Sequence, residues 1–283
     1  YNGPACAYVA GPFGGYTANN EGMRFIECDY WSGQMMQEFY NELQSGKGPV
    51  FLKLNHLADE TVSEIENILH EVERPTRGRF QTNRKVDYRN GMIEMHISEI
   101  GFCSGHSASG VFVDENARTT VDGLYAAGDM ASVPHNYMLG AFTNGMVAGE
   151  DAIDFVKEID FAEYDEADVH AEKERVLAPT LREDGIPPNQ LEYKTRRLVN
   201  DYLQPPKVTR KMQLAQDRFA ETRNDMEQAM VVTNAHELMR SLEVASIMDC
   251  ADMAAHASLF RTESRWGLYH NRADFPERDN ENW

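Results

Sequence analysis

From Ser104 to Ala152 the chain sets short apolar runs between glycines and other small residues: SGHSASGVFVDENARTTVDGLYAAGDMASVPHNYMLGAFTNGMVAGEDA. The order predicts a small-residue turn around His106, a short strand at 111–113 and another over 123–128 that ends in Gly128-Asp129. A glycine-broken loop then feeds a helix from Gly140 to about Val156. Runs of this kind suit a parallel sheet or a hairpin. Glycines between them allow backbone paths and close approaches that side chains would block. Such a stretch makes a place where backbone N–H groups and one imidazole can meet a flat ligand. The rest of the chain reads as walls and support for it.

The 283 residues can bury a sizeable core and suggest one or two domains. Lys and Arg number 27 against 46 Asp and Glu, a formal charge of −19. That balance repels nucleic acid and anionic membrane. The sequence has no run of eighteen apolar residues, the length a membrane span would need. The opening YNGPAC shows neither a Met nor a charged-then-apolar leader and reads as the middle of a longer polypeptide. Cys6, Cys28, Cys103 and Cys250 lie far apart with no CxxC spacing. Neither a zinc site, an iron–sulfur cluster nor any other metal site is expected, and the cysteines read as reduced thiols of a cytoplasmic protein.

Along the chain, NNEG (19–22) is a turn signal. Met35, Met36, Phe39, Tyr40 and Leu43 predict a helix that begins after Trp31-Ser32 and stops at Ser45-Gly46. PVFLKL (49–54) alternates like a strand, and Asp59 is expected to cap a helix carrying Val62, Ile65, Ile68 and Leu69. Residues 74–89 concentrate arginines in an acidic protein, as a solvated loop or as an anion-facing surface. Residues 92–100, MIEMHISEI, read as a strand. After Lys157 an acidic linker leads into a predominantly helical remainder. Pro187-Pro188 starts one helix there, and Pro205-Pro206 ends it before a long helix from about Thr209. The spacing of Leu238, Leu242, Ala245, Met248, Ala255 and Leu259 predicts a buried stripe on a third.

Three elements carry chemistry. Asp129 at a strand end can accept hydrogen bonds from sugar or ribityl hydroxyls, or simply cap a turn. Gly140, Ala141, Thr143 and Gly145 leave a helix start unshielded. Its amides, carrying roughly +0.5 charge, favour an anion or negative charge at the edge of a ring. Close helix–sheet packing would use the same small residues. His106, between glycine-rich turns, can hold or donate a proton, its free pKa being roughly 6.5. A structural role is the alternative for it, and for His135.

Three separated segments, in order, resemble the flavoprotein subunit of the fumarate reductase, succinate dehydrogenase and adenylylsulfate reductase superfamily: GGYTANNEGMRF (14–25), GHSASGVFVDENARTTVDGLYAAGD (105–129) and FRTESRWGLYHNRADFPERDNENW (260–283). The loop PHNYMLGAFTNG and the run from His236 to Trp266 resemble the adenylylsulfate reductase alpha subunit most. The resemblance implies a mixed α+β fold. Residues 1–91 would end a capping domain, 92–157 complete an FAD-binding α/β domain and its sheet, and 158–283 form a helical C-terminal domain. Arg261, Glu263, Arg265 and Arg272 would be polar ties of that last part. It implies FAD as cofactor and His106 as the catalytic, substrate-side residue. Gly128, Asp129, His135, Asn136, Gly140, Ala141, Phe142 and Thr143 would lie on the flavin side. It also implies a small-molecule substrate and, for electron transfer, a ferredoxin-like iron–sulfur partner subunit.

Two departures bear on substrate. Gly11, Pro12 and Phe13 stand where the dicarboxylate enzymes keep a capping-domain arginine, and Met138 or its neighbours stand where they keep another. A dicarboxylate needs cationic, fork-shaped partners at both ends, so succinate and fumarate are disfavoured. Adenylylsulfate reductases keep an upstream arginine where Tyr8 or a neighbour stands. No GxGxxG follows a strand, so the side of the site that would hold the ADP moiety is missing, and the chain alone is expected to bind FAD poorly. Two other classes compete: a flavin oxidase of the aspartate oxidase type, and a non-catalytic helical assembly module with a decayed flavin site.

Overall fold

Turn-forming residues interrupt the first hundred residues so often that every described strand there is three or four residues long. The computed structural model describes residues 4–26, 32–73, 75–97, 110–133, 138–160, 163–265 and 267–283. It divides into two units: residues 1–100 with 264–271, and residues 101–263 with 272–283.

In the first unit α1 (Pro4–Ala10) leads to β1 (Tyr16–Ala18), which turns back through Asn19–Gly22 into β2 (Arg24–Ile26). The Asn19 carboxamide oxygen accepts from the amides of Glu21 and Met23, both at 3.0 Å, and so ties the turn. Then follow α2 (Ser32–Gln44), β3 (Val50–Lys53), α3 (Asp59–Asn67) with a wider turn through Glu73, α4 (Pro75–Asn83) and β4 (Ile93–Met95). The four strands form an antiparallel sheet in the order β2-β1-β3-β4, with Thr17 opposite Leu52 and Phe51 opposite Glu94. Alternation on β3 buries Val50 and Leu52 against Met35, Met36 and Phe39 of α2 and Val62, Ile65 and Leu69 beyond them.

Three sequence expectations change here. Asp59 is the first helical residue rather than the cap: Ala58 holds the cap position without a side-chain bond, and Asp59 and Glu60 complement the helix dipole instead. Within the arginine-rich segment residues 75–83 form helix α4, while 84–89 remain in turns and loop. Arg84 lies 3.6 Å from the Phe80 ring centroid, and Arg89 pairs with Glu66 at 2.8 Å. β4 is three residues long, and 98–100 lie outside the described residues.

The second unit opens with residues 110–133 and α5 (Met138–Lys157), matching the helix expected from Gly140 to about Val156. The runs at 111–113 and 123–128 do not become strands. They make single bridges only, Val111 to Ala131 in parallel and Arg118 to Tyr125 antiparallel. A strand needs a neighbour for its backbone groups, and the described sheet belongs to the first unit. Next come α6 (Glu166–Leu177), α7 (Pro188–Tyr202), α8 (Thr209–Ala229) and α9 (Ala235–Phe260). Pro188 starts α7 where a missing N–H is harmless. Asn234 caps α9 by accepting from Glu237 N at 3.0 Å.

Leu191, Leu203, Met212, Phe219, Val244 and Met248 pack α7, α8 and α9 together. The buried face of α9 is Ser241, Val244, Met248, Ala251, Ala255 and Ser258, while Leu242 is exposed and Leu238 half-buried. Of the expected stripe Met248 and Ala255 are buried and Ala245 and Leu259 pack against the core, so only its Leu238–Leu242 end is turned outward.

Arg272 and Glu263, expected as polar ties, are buried. Arg272 donates to the carbonyls of Ser258 (2.7 Å) and Arg261 (2.9 Å) at the end of α9, and to Thr209 Oγ1 (2.8 Å) at the start of α8. Asp274 accepts from it at 2.9 and 3.0 Å. Lys207 Nζ donates to Ser258 Oγ at 2.8 Å beside it. Glu263 accepts from Arg261 and from Asp279 N. Arg265 belongs to the first unit, where its amide donates to His270 O at 2.9 Å. Among the described residues no helix is long and apolar enough to cross a membrane, and no group of three or more His, Cys, Asp or Glu could hold a metal ion. Cys6 is buried and Cys250 exposed, while Cys28 and Cys103 lie outside the described residues.

Candidate functional site

The short segment through Ala126 ends at Ala127, still extended, and Gly128 then turns with φ +67°, a conformation in which a side chain is strained. A 3-10 turn covers Gly128–Met130 and closes with Ala131 N donating to Gly128 O at 3.0 Å. A Cβ built on Gly128 would stand 3.4 Å from Ala141 Cβ, so this turn lies directly on the first turns of α5. Two of the expected elements, Gly128-Asp129 and Gly140-Ala141, are thereby brought together. The turn is held from its other side too. Gly110 packs so closely that a Cβ there would fall 2.4 Å from Met130 O. Val111 N donates to Met130 O, and Ser132 N to Val111 O, each at 2.8 Å.

Asp129 is exposed. Gly140 and Ala141 are half-buried, whereas Phe142 is 70% and Leu139 81% exposed. The Thr143 hydroxyl donates back to Leu139 O at 2.9 Å, and the Asn144 amide to Gly140 O at 3.0 Å. Their polar groups are thus drawn onto the helix. None of the residues of α5 is buried. Met130, Leu139, Phe142 and Met146 present exposed apolar side chains around the helix start. His106, His135 and Asn136 lie outside the described residues.

One cluster escapes the sequence patterns. Asp151 of α5 accepts from Arg118 through Nε (2.5 Å) and a terminal nitrogen (2.9 Å), and from the Tyr125 hydroxyl (2.7 Å). Arg118 first, and Tyr125 with it, hold the Asp151 carboxyl below the usual carboxylate range. Donation to that carboxylate raises the Tyr125 hydroxyl and, likewise, the Arg118 guanidinium. Arg118 and Asp151 are too far apart for any helical or strand spacing to pair them, so no local signal announces the contact. A shallow groove between α8 and α9, lined by Gln216, Arg223, Asp252 and His256 among others, turns its polar groups on itself: Arg223 pairs with Asp249 at 2.7 Å and Gln216 with His256 at 2.9 Å.

Comparison with known proteins supplies the frame for this geometry. The family described as FAD binding domain matches residues 8–143, and the one described as fumarate reductase flavoprotein C-term matches residues 193–283. An uncharacterized FAD-dependent oxidoreductase of Methanocaldococcus jannaschii is 25% identical over 86% of this chain and 43% of its own length. A fumarate reductase (CoM/CoB) subunit of Methanothermobacter marburgensis is 24% identical over 93% and 49%. The fumarate reductase flavoprotein subunit of Haemophilus influenzae is 24% identical over 95% and 49%. The chain thus spans about half the length of the curated relatives it matches.

Among solved structures, adenylylsulfate reductase from Archaeoglobus fulgidus superposes with a TM-score of 0.74 at 20% identity, over 96% of this chain and 52% of that one. E. coli quinol fumarate reductase does so with 0.74 at 19%, over 99% and 52%. These likenesses show a shared fold. With two family matches in order along most of its length, the chain is similar to the flavoprotein subunits of fumarate reductases.

Proposed function

We propose that this chain forms the ring-side wall of an FAD-dependent oxidoreductase site. The carrying observation is the contact of the Gly128 turn with the start of α5. The residues present fit a flat aromatic group: the Gly128 turn, at positive φ, lies against Ala141, and exposed Met130, Leu139 and Phe142 offer apolar surface beside the helix amides. Bound FAD would supply the electron exchange with substrate. The amides at the start of α5 favour negative charge on a bound ring. Asp129 accepts from a hydroxyl of the cofactor chain. His135, Asn136, Phe142 and Thr143 complete that side. His106 holds or delivers a proton at a ring nitrogen toward substrate.

In this reading residues 1–91 serve as capping part, 92–157 as the FAD-binding part and 158–283 as the helical part. The substrate is a small molecule outside the dicarboxylates, given Gly11, Pro12, Phe13 and Met138 in place of arginines. The electron partner is an iron–sulfur subunit. Curated relatives that are themselves called subunits support an assembly, and the cysteine spacing of this chain supports a cluster held elsewhere. We place the assembly in the cytoplasm. The test is anaerobic absorbance spectroscopy on the polypeptide as encoded in full. Bound FAD that dithionite bleaches and a candidate acceptor restores supports the reading. A folded polypeptide that takes up no FAD on titration refutes it.

A further inference from the structure

We infer that Asp151 is a positioning residue for the proposed flavin site, setting where the Gly128-Asp129 turn lies along α5. This rests on the flavin reading above. Three contacts fasten residues 123–128 to the helix, in reverse order along it. A Cβ on Gly123 would meet the Phe155 ring at 3.1 Å, Tyr125 bonds Asp151 at 2.7 Å, and Gly128 abuts Ala141. The outer two are apolar and non-directional, so they tolerate sliding. The middle one has direction. One carboxylate oxygen takes both Tyr125 and Arg118 Nε while the other takes the Arg118 terminal nitrogen, a two-pronged grip on the arginine.

Asp151 stands ten residues beyond Ala141, about 15 Å along the helix. A grip at that distance from the Gly128 contact sets the angle between segment and helix, and with it the place of Asp129 relative to the helix amides. Surface ion pairs contribute little in general. This one has paired geometry, and Asp151 is 17% exposed. It ties α5 to the same segment that carries the turn.

The experiment uses the full-length polypeptide with added FAD. It compares wild type with Asp151→Asn, Tyr125→Phe and Arg118→Gln in three measurements: FAD affinity, the visible circular dichroism of the bound flavin, and hydrogen exchange across 118–131 and across the α7–α9 bundle. Asp151→Asn should weaken FAD by at least about tenfold, the scale of a lost charge-assisted hydrogen bond. It should change the dichroism and speed exchange at 118–131 while leaving the bundle protected. Tyr125→Phe should fall between it and wild type. Wild type that binds FAD while Asp151→Asn binds it equally, with the same dichroism, overturns the positioning role alone. Loss of protection in the bundle by all three variants overturns that role as well. Wild type that binds no FAD overturns the flavin reading and this role with it.

Discussion

Replacing Lys207 with methionine should make the helical bundle more stable at neutral pH, although it deletes a hydrogen bond. Lys207 is 3% exposed, and burial first, then the neighbouring Arg272 charge, pull its ammonium down to about 8. Against an ordinary lysine near 10.4, that shift corresponds to about 3 kcal/mol spent holding the cation in the fold at pH 7. Losing the 2.8 Å bond to Ser258 Oγ costs about 1 kcal/mol. Methionine fills a similar volume without charge, so the net gain is about 2 kcal/mol.

The sign follows from proton binding. The folded pKa lies below the unfolded one, so between about pH 8 and pH 10.4 the unfolded chain carries the extra proton, and wild-type stability rises with pH in that window. Asp274, whose carboxyl is held low by Arg272 and Thr209 against the opposing effect of burial, stays ionised. Urea unfolding of wild type and Lys207→Met at pH 7, 8, 9 and 10 measures it. The variant should lead at pH 7 and lose its lead toward pH 10. A variant less stable than wild type at pH 7, or a difference that ignores pH, refutes the reasoning.

Arg272→Met should destabilise the same bundle by about 3–5 kcal/mol, because it strips the carbonyls at the end of α9 and leaves Asp274 without its cation; denaturant midpoints read this. Gly128→Val should cost about 1–3 kcal/mol from a side chain at φ +67° and force the turn off Ala141. Thermal melts should show the first effect, and a weaker FAD titration of the full polypeptide the second. Asn234→Ala should lower stability by about 1 kcal/mol through loss of the α9 cap, with hydrogen exchange rising first at residues 235–238.

Elements whose burial is decided locally were legible in the sequence. α2, β3, α5, α7 and α8 lie where their periodicity and their glycine or proline punctuation put them. α9 exposes the limit of that reading. Hydrophobicity selects Leu238 and Leu242, but the buried face of the helix sets Ser241, Ala251, Ala255 and Ser258 beside Val244 and Met248. A scale of apolarity does not contain that choice. Arg272 and Glu263 escape for a related reason: sequence marks them as charged, while only the meeting of the α8 start, the α9 end and the last segment turns charge into a buried fastening.

The candidate site divides along the same line. The sequence singles out Gly128-Asp129 for a carboxylate at the end of an apolar run and Ala141 for small size, but not the contact between Gly128 and Ala141. Asp151 was invisible because its partners sit on another segment. The apolar runs at 111–113 and 123–128 carry a strand pattern, yet Phe112 and Leu124 stay exposed and the backbone makes only single bridges. α5 likewise carries apolar residues on a helix that buries none of them. Pattern without burial, in two elements that touch each other, argues that this part of the sequence is written for a larger surface than the described residues provide. In such a setting apolar packing within the chain holds the site loosely. The directional contacts, Asp151 with Arg118 and Tyr125, and the bridge of Val111 to Met130 and Ala131, then carry the job of fixing its shape.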